Sequence, residues 1–77
     1  MSDGTSAGDV ELIFVVEEAV EGGFVARAVG EPIFTEADDL AELRTMVRDA
    51  VQCHFAGSER RPKMIRLHFV RDELIAA

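Results

Sequence analysis

Leu40, Leu43, Val47, Ala50, Val51, His54 and Phe55 recur at spacings that put them on one stripe of an α-helix, with Glu42, Thr45, Arg48, Asp49 and Gln52 opposite. Asp39 stands at the N-cap position, and Glu42 three residues on completes an aspartate form of the capping box. Asp38 adds negative charge near the positive helix end. Gly57 supplies the stop. No opposite charges lie three or four residues apart along the helix, so local ion pairs do not hold it, and the stripe has to pack on a sheet.

The flanking sequence supplies that sheet. Val10 to Glu18 reads VELIFVVEE, rich in β-branched and aromatic residues. The turn formers Glu21-Gly22-Gly23 follow, and Phe24 to Val29 resumes the pattern, which describes a hairpin. Gly30-Glu31-Pro32 breaks the second strand, and Ile33-Phe34-Thr35 forms a short third one. After the polar loop from Ser58 to Lys63, Ile65, Leu67 and Phe69 alternate with Arg66 and His68 in a half-buried last strand. The expected architecture is α+β: a small antiparallel sheet of three to four strands in the order β-β-β-α-β, with one helix packed on one face. With 77 residues there is room for a single domain, expected over residues 10–77, after a mobile leader over residues 1–9.

One helix covers one face, yet the first strand is apolar on both: Leu12, Phe14 and Val16 point one way, Ile13 and Val15 the other. The apolar tail Leu74-Ile75-Ala76-Ala77 also wants a surface. An exposed patch of ~400 Å² corresponds to roughly 10 kcal/mol of gross burial, comparable with the ~4–15 kcal/mol entropic cost of association. A homodimer or higher homo-oligomer is therefore expected, with Ile13, Val15, Leu74 and Ile75 as interface candidates.

Composition excludes several classes. Apolar residues make up 48% of the chain, too many for disorder, while no apolar run approaches the roughly 20 residues that cross a bilayer. The formal net charge of −7 repels nucleic-acid phosphates, so direct DNA or RNA binding is disfavoured and a basic protein partner is attracted. The start of the chain is small, polar and acidic, unlike a secretory signal, and Cys53 is the only cysteine. Together these point to the reducing cytoplasm.

Candidate chemistry is thin. Glu17, Glu18 and Glu21 cluster at the hairpin and Glu36, Asp38 and Asp39 before the helix, but turn solvation and helix-dipole pairing account for both groups. His54, His68 and Cys53 lack metal-ligand spacing, and Cys53 and His54, adjacent on a helix, do not face each other. Gly22-Gly23 is followed by a strand, unlike a phosphate loop, and Arg60, Arg61 and Lys63 read as a solvated loop. The expectation is no catalytic residue, no metal and no cofactor.

The segment from Glu21 to Val51 resembles the HicB-like antitoxin domain. The matching residues are Gly22, Gly23, Phe24 and Ala26 in the hairpin, Thr35 and Asp38 before the helix, and Leu40, Glu42, Leu43, Ala50 and Val51 along it. The order of elements extends the likeness to Val10–Val70. Gly30-Glu31-Pro32 stands where family members commonly carry Pro-Asp-x-Pro-Gly, and Asp39 replaces their usual Thr or Ser cap. The resemblance implies a reduced ribonuclease-H-like fold without catalytic carboxylates, which binds a small basic ribonuclease toxin, HicA. No DNA-binding segment is expected after the sheet domain. Two functional readings follow. One is an acidic, non-catalytic module that sequesters a basic protein, with Glu17, Glu18, Glu36 and Asp38 as candidate contacts. The other is a stand-alone homo-oligomeric accessory or small-ligand-binding protein.

Overall fold

A computed structural model describes residues 11–77, so the expected leader and Val10 lie outside the described residues. Four strands and one helix follow in the expected order: β1 (Glu11–Glu18), β2 (Phe24–Ala28), β3 (Phe34–Ala37), α1 (Leu40–His54) and β4 (Met64–Phe69). The sheet order is β3-β2-β1-β4. β1 pairs with β2, and β2 with β3, antiparallel; β4 lies on the other side of β1 and runs parallel to it. The sheet is therefore mixed where a wholly antiparallel one was expected. The helix explains the difference. It starts where β3 ends and returns the chain to the opposite end of the sheet, so β4 must run in the direction of β3, which is also that of β1.

The helix termini are built by the residues the sequence singles out. Asp39 has an extended backbone, and its Oδ1 accepts from the Glu42 N–H at 2.7 Å. Glu42 Oε1 accepts in return from the Asp38 N–H at 3.0 Å, one residue earlier than in the usual box. At the other end Gly57 has φ +77°, a left-handed conformation that glycine adopts without a Cβ penalty.

The hairpin depends on its two glycines. Gly22 and Gly23 have φ of +105° and +81°, the Gly22 N–H donates to the Ala19 carbonyl, and the Ala19 N–H donates to that of Gly23, both at 3.0 Å. A Cβ on Gly23 would lie 2.6 Å from the Ala37 carbonyl oxygen, whereas one on Gly22 would meet nothing within 4 Å. Gly23 thus lets the hairpin pass close to the junction of β3 and α1.

Alternation and helical period converge on one core. Leu12, Phe14 and Val16 of β1 and Ala26 and Ala28 of β2 bury against Leu43, Val47 and Val51 of α1 and Phe55 beyond its end, with Ile33 closing the side. Full burial of a Val, Leu or Phe side chain contributes roughly 1.5–3 kcal/mol, so these four residues supply the stabilisation that local ion pairs do not. His54, expected on the stripe, instead lies exposed at its margin. Its ring meets that of Phe55 edge-on at 4.8 Å, and its Nε2 lies 3.1 Å from Glu31 Oε1. Ile65 and Leu67 are half-buried against the core, but Phe69, expected inside with them, is exposed. The helix lies closest to β3 and β2, so it leaves the β4 side of its own face less covered.

Candidate functional site

The face of the sheet opposite α1 has no covering element among the described residues. The pairing registers arrange it in rows across the strands: His68, Val15, Arg27 and Phe34 in one, and Glu17, Val25 and Glu36 in the next. Ile13 pairs with Arg66, and Val29 extends the same side by donating its N–H to the Ile13 carbonyl. Phe34 is 58% exposed, Val29 56% and Met64 60%, values high for such large apolar groups. Ion pairs lie beside and within the patch. The Arg66 guanidinium grips the Glu11 carboxylate through two hydrogen bonds of 2.8 and 3.0 Å, and Arg27 lies 4.0 Å from Glu17. The hydrogen bond from Arg66 holds the Glu11 carboxyl below the usual glutamate range, against a smaller opposing effect of desolvation, and the guanidinium charge adds to it.

The candidate contacts fall in two places at one end of the sheet. Glu17 and Glu36 share a row on the open face, flanking Val25. Glu18 belongs to the helix side of β1, in register with Phe24 and Ala37, and Asp38 sits just beyond Ala37 at the start of α1. All four are thus at the end where β1 and β3 finish and α1 starts, which Glu21, Asp39 and Glu42 also occupy. The interface candidates are likewise separated. Ile13 and Val15 lie on the open face, while Leu74 and Ile75 are exposed in the segment after β4, 99% and 80% accessible.

A second feature was not singled out from the sequence. Between α1 and β4, on the helix side, runs an open groove of about 680 Å³. Its floor is Val47, Val51, Ile65 and Leu67, and four cations line it: Arg44 and Arg48 from the helix, Arg61 and Lys63 from the loop before β4. Among the described residues no acidic one lines it. The chain is therefore electrically polarised, with carboxylates gathered at one end and half of its eight Lys and Arg residues along one groove. The sequence marked Arg60, Arg61 and Lys63 as a basic, solvated loop and set Arg48 opposite the apolar stripe; the fold brings Arg61 and Lys63 to Arg44 and Arg48 beside Val47 and Val51.

Among the described residues no group of three or more His, Cys, Asp or Glu is placed to hold a metal ion, and no helix is long and apolar enough to cross a membrane. Cys53 is a free, exposed thiol.

No family model matches the chain, and no solved structure matches it. Two relatives do. A UPF0150 protein of Archaeoglobus fulgidus is 55% identical over 53 residues, spanning 69% of this chain and 77% of the relative. A UPF0150 protein of Thermotoga maritima is 39% identical over 66 residues, spanning 86% of this chain and 91% of the relative. Neither name carries an activity. With these identities and coverage the chain belongs to the UPF0150 family.

Proposed function

We propose that this protein is a non-catalytic binding module that uses the open face of its sheet to hold a small basic protein, in the manner of a HicB-type antitoxin with its toxin. The observation that carries this reading is the uncovered apolar patch, Ile13, Val15, Val25, Val29 and Phe34, bordered by Glu17 and Glu36. The apolar groups are interleaved with charge, Arg27 standing between Val15 and Phe34 and Arg66 beside Ile13, while Glu17 and Glu36 lie together at one end: the apolar groups supply affinity by desolvation, and the carboxylates steer a cationic partner. The net charge of −7 acts in the same direction at longer range. The lone thiol fits the reducing cytoplasm, where such a partner would be met.

The test is calorimetric titration of the purified chain with the small, basic, HicA-like protein of the same host. Expected is one saturable site that weakens as salt rises, is lost in Ile13→Asp, and weakens at least tenfold in Glu17→Lys/Glu36→Lys. No binding by the wild-type chain, or binding indifferent to all these substitutions, overturns the reading. The alternative of a stand-alone homo-oligomer is favoured by one separate observation, the near-complete exposure of Leu74 and Ile75.

A further inference from the structure

We infer that the groove between α1 and β4 is a docking site for a second copy of this chain, whose Asp72–Ile75 segment it receives. This surface is on the opposite side of the sheet from the patch proposed for the basic partner and does not depend on that reading.

The argument is chemical complementarity. The groove combines an aliphatic floor of Val47, Val51, Ile65 and Leu67 with cationic walls of Arg44, Arg48, Arg61 and Lys63. Its occupant must therefore be apolar and anionic at once. The open face of the sheet carries both as well, but spread over three strands that also bear Arg27. The segment Asp72-Glu73-Leu74-Ile75 offers both in four consecutive residues, and every one of them is exposed. In an extended segment Asp72 and Leu74 share one side and Glu73 and Ile75 the other, so either side brings an aliphatic group to the floor while the opposite carboxylate stays within reach of a wall.

The arrangement favours exchange between copies. The segment leaves β4 after Phe69, at the carboxylate-rich end, where Arg71 and Asp72 share a shallow hollow with Glu17 and Glu18. The groove opens beside β4 itself, with Arg61 and Lys63 at its beginning. For a chain to fill its own groove, the backbone would have to reverse just after Val70, where no glycine or proline provides a turn. In a two-fold dimer each copy extends its segment into the groove of the other without any reversal, and the carboxylates move away from Glu17 and Glu18 toward four cations. Both grooves are filled by one symmetry operation.

The experiment is light scattering with size-exclusion chromatography over a hundredfold range of concentration. The wild-type chain is expected at twice its 8.4 kDa mass, and Leu74→Ser/Ile75→Ser at the single mass with unchanged circular dichroism. Arg44→Glu/Arg48→Glu and Asp72→Arg/Glu73→Arg should each raise the dimer dissociation constant at least tenfold. An equimolar mixture of these two charge-reversed chains should recover dimers, because the reversed segment of one fits the reversed groove of the other. Ile13→Asp, on the open face, should leave the mass unchanged. A wild-type monomer at all concentrations overturns the inference, whether or not residues 72–75 are protected within it. So does a dimer that Ile13→Asp abolishes, or one that survives all three groove and segment variants.

Discussion

Replacing Gly23 with alanine isolates one backbone contact on which the fold depends. Gly22 and Gly23 both have positive φ, so alanine at either is strained by about 1–2 kcal/mol, partly offset by the ~0.4–1 kcal/mol gained because alanine restricts the unfolded chain. Gly22→Ala should therefore cost about 1 kcal/mol, since its Cβ meets nothing within 4 Å. At Gly23 the new Cβ would lie 2.6 Å from the Ala37 carbonyl oxygen, a backbone atom that cannot rotate away. Ala37 pairs with Phe24 at the end of the β2–β3 ladder and precedes the Asp38–Asp39 cap, so relieving the clash moves both. Weakening one ladder bond, worth about 1 kcal/mol, and one cap, worth about another, brings Gly23→Ala to roughly 3 kcal/mol. That is a large part of the roughly 4–12 kcal/mol expected of a chain this long. Urea denaturation followed by circular dichroism measures the difference directly: the Gly23→Ala midpoint should fall well below that of Gly22→Ala with the slope unchanged. Equal midpoints would show that the hairpin does not need its close approach to β3, and the reasoning would fail.

Asp39→Ala removes the acceptor of the Glu42 N–H and should cost about 1 kcal/mol in the same denaturation assay, while Asp39→Ser should cost less than half of that. Leu43→Ala, at a position with no accessible surface, should cost about 2–5 kcal/mol and lower the thermal midpoint correspondingly. Arg66→Gln should raise the titration midpoint of Glu11, followed by carboxyl NMR shifts, toward the ordinary glutamate range. Because the folded-state value in the wild type is depressed, the stabilisation it brings is present above the unfolded-state pKa. It disappears as the pH falls through the folded value, so the stability difference between wild type and Arg66→Gln should close on acidification.

What the sequence determined is what local physics determines. The stripe from Leu40 to Phe55 and the Asp39 and Glu42 cap signals located the helix, because period and end chemistry are properties of neighbouring residues. Alternation in β1 assigned Leu12, Phe14 and Val16 to the core and Ile13 to the open face for the same reason. His54 was misplaced because a residue at the edge of a helical stripe is buried or exposed according to what lies beside it, here Glu31 and open solvent.

The tertiary structure alone decided where β4 goes. A strand alternates with period two whichever strand it joins, so nothing in Met64–Phe69 says that it joins β1 rather than β3. From that placement follow the pairing of Arg66 with Glu11 across a separation of 55 residues and the groove where Arg61 and Lys63 meet Arg44 and Arg48. The sharing of a row by Glu17 and Glu36 depends in the same way on the register of β1, β2 and β3. Each of these joins residues far apart in the chain, and such contacts are set by how the whole core packs, which no local pattern records.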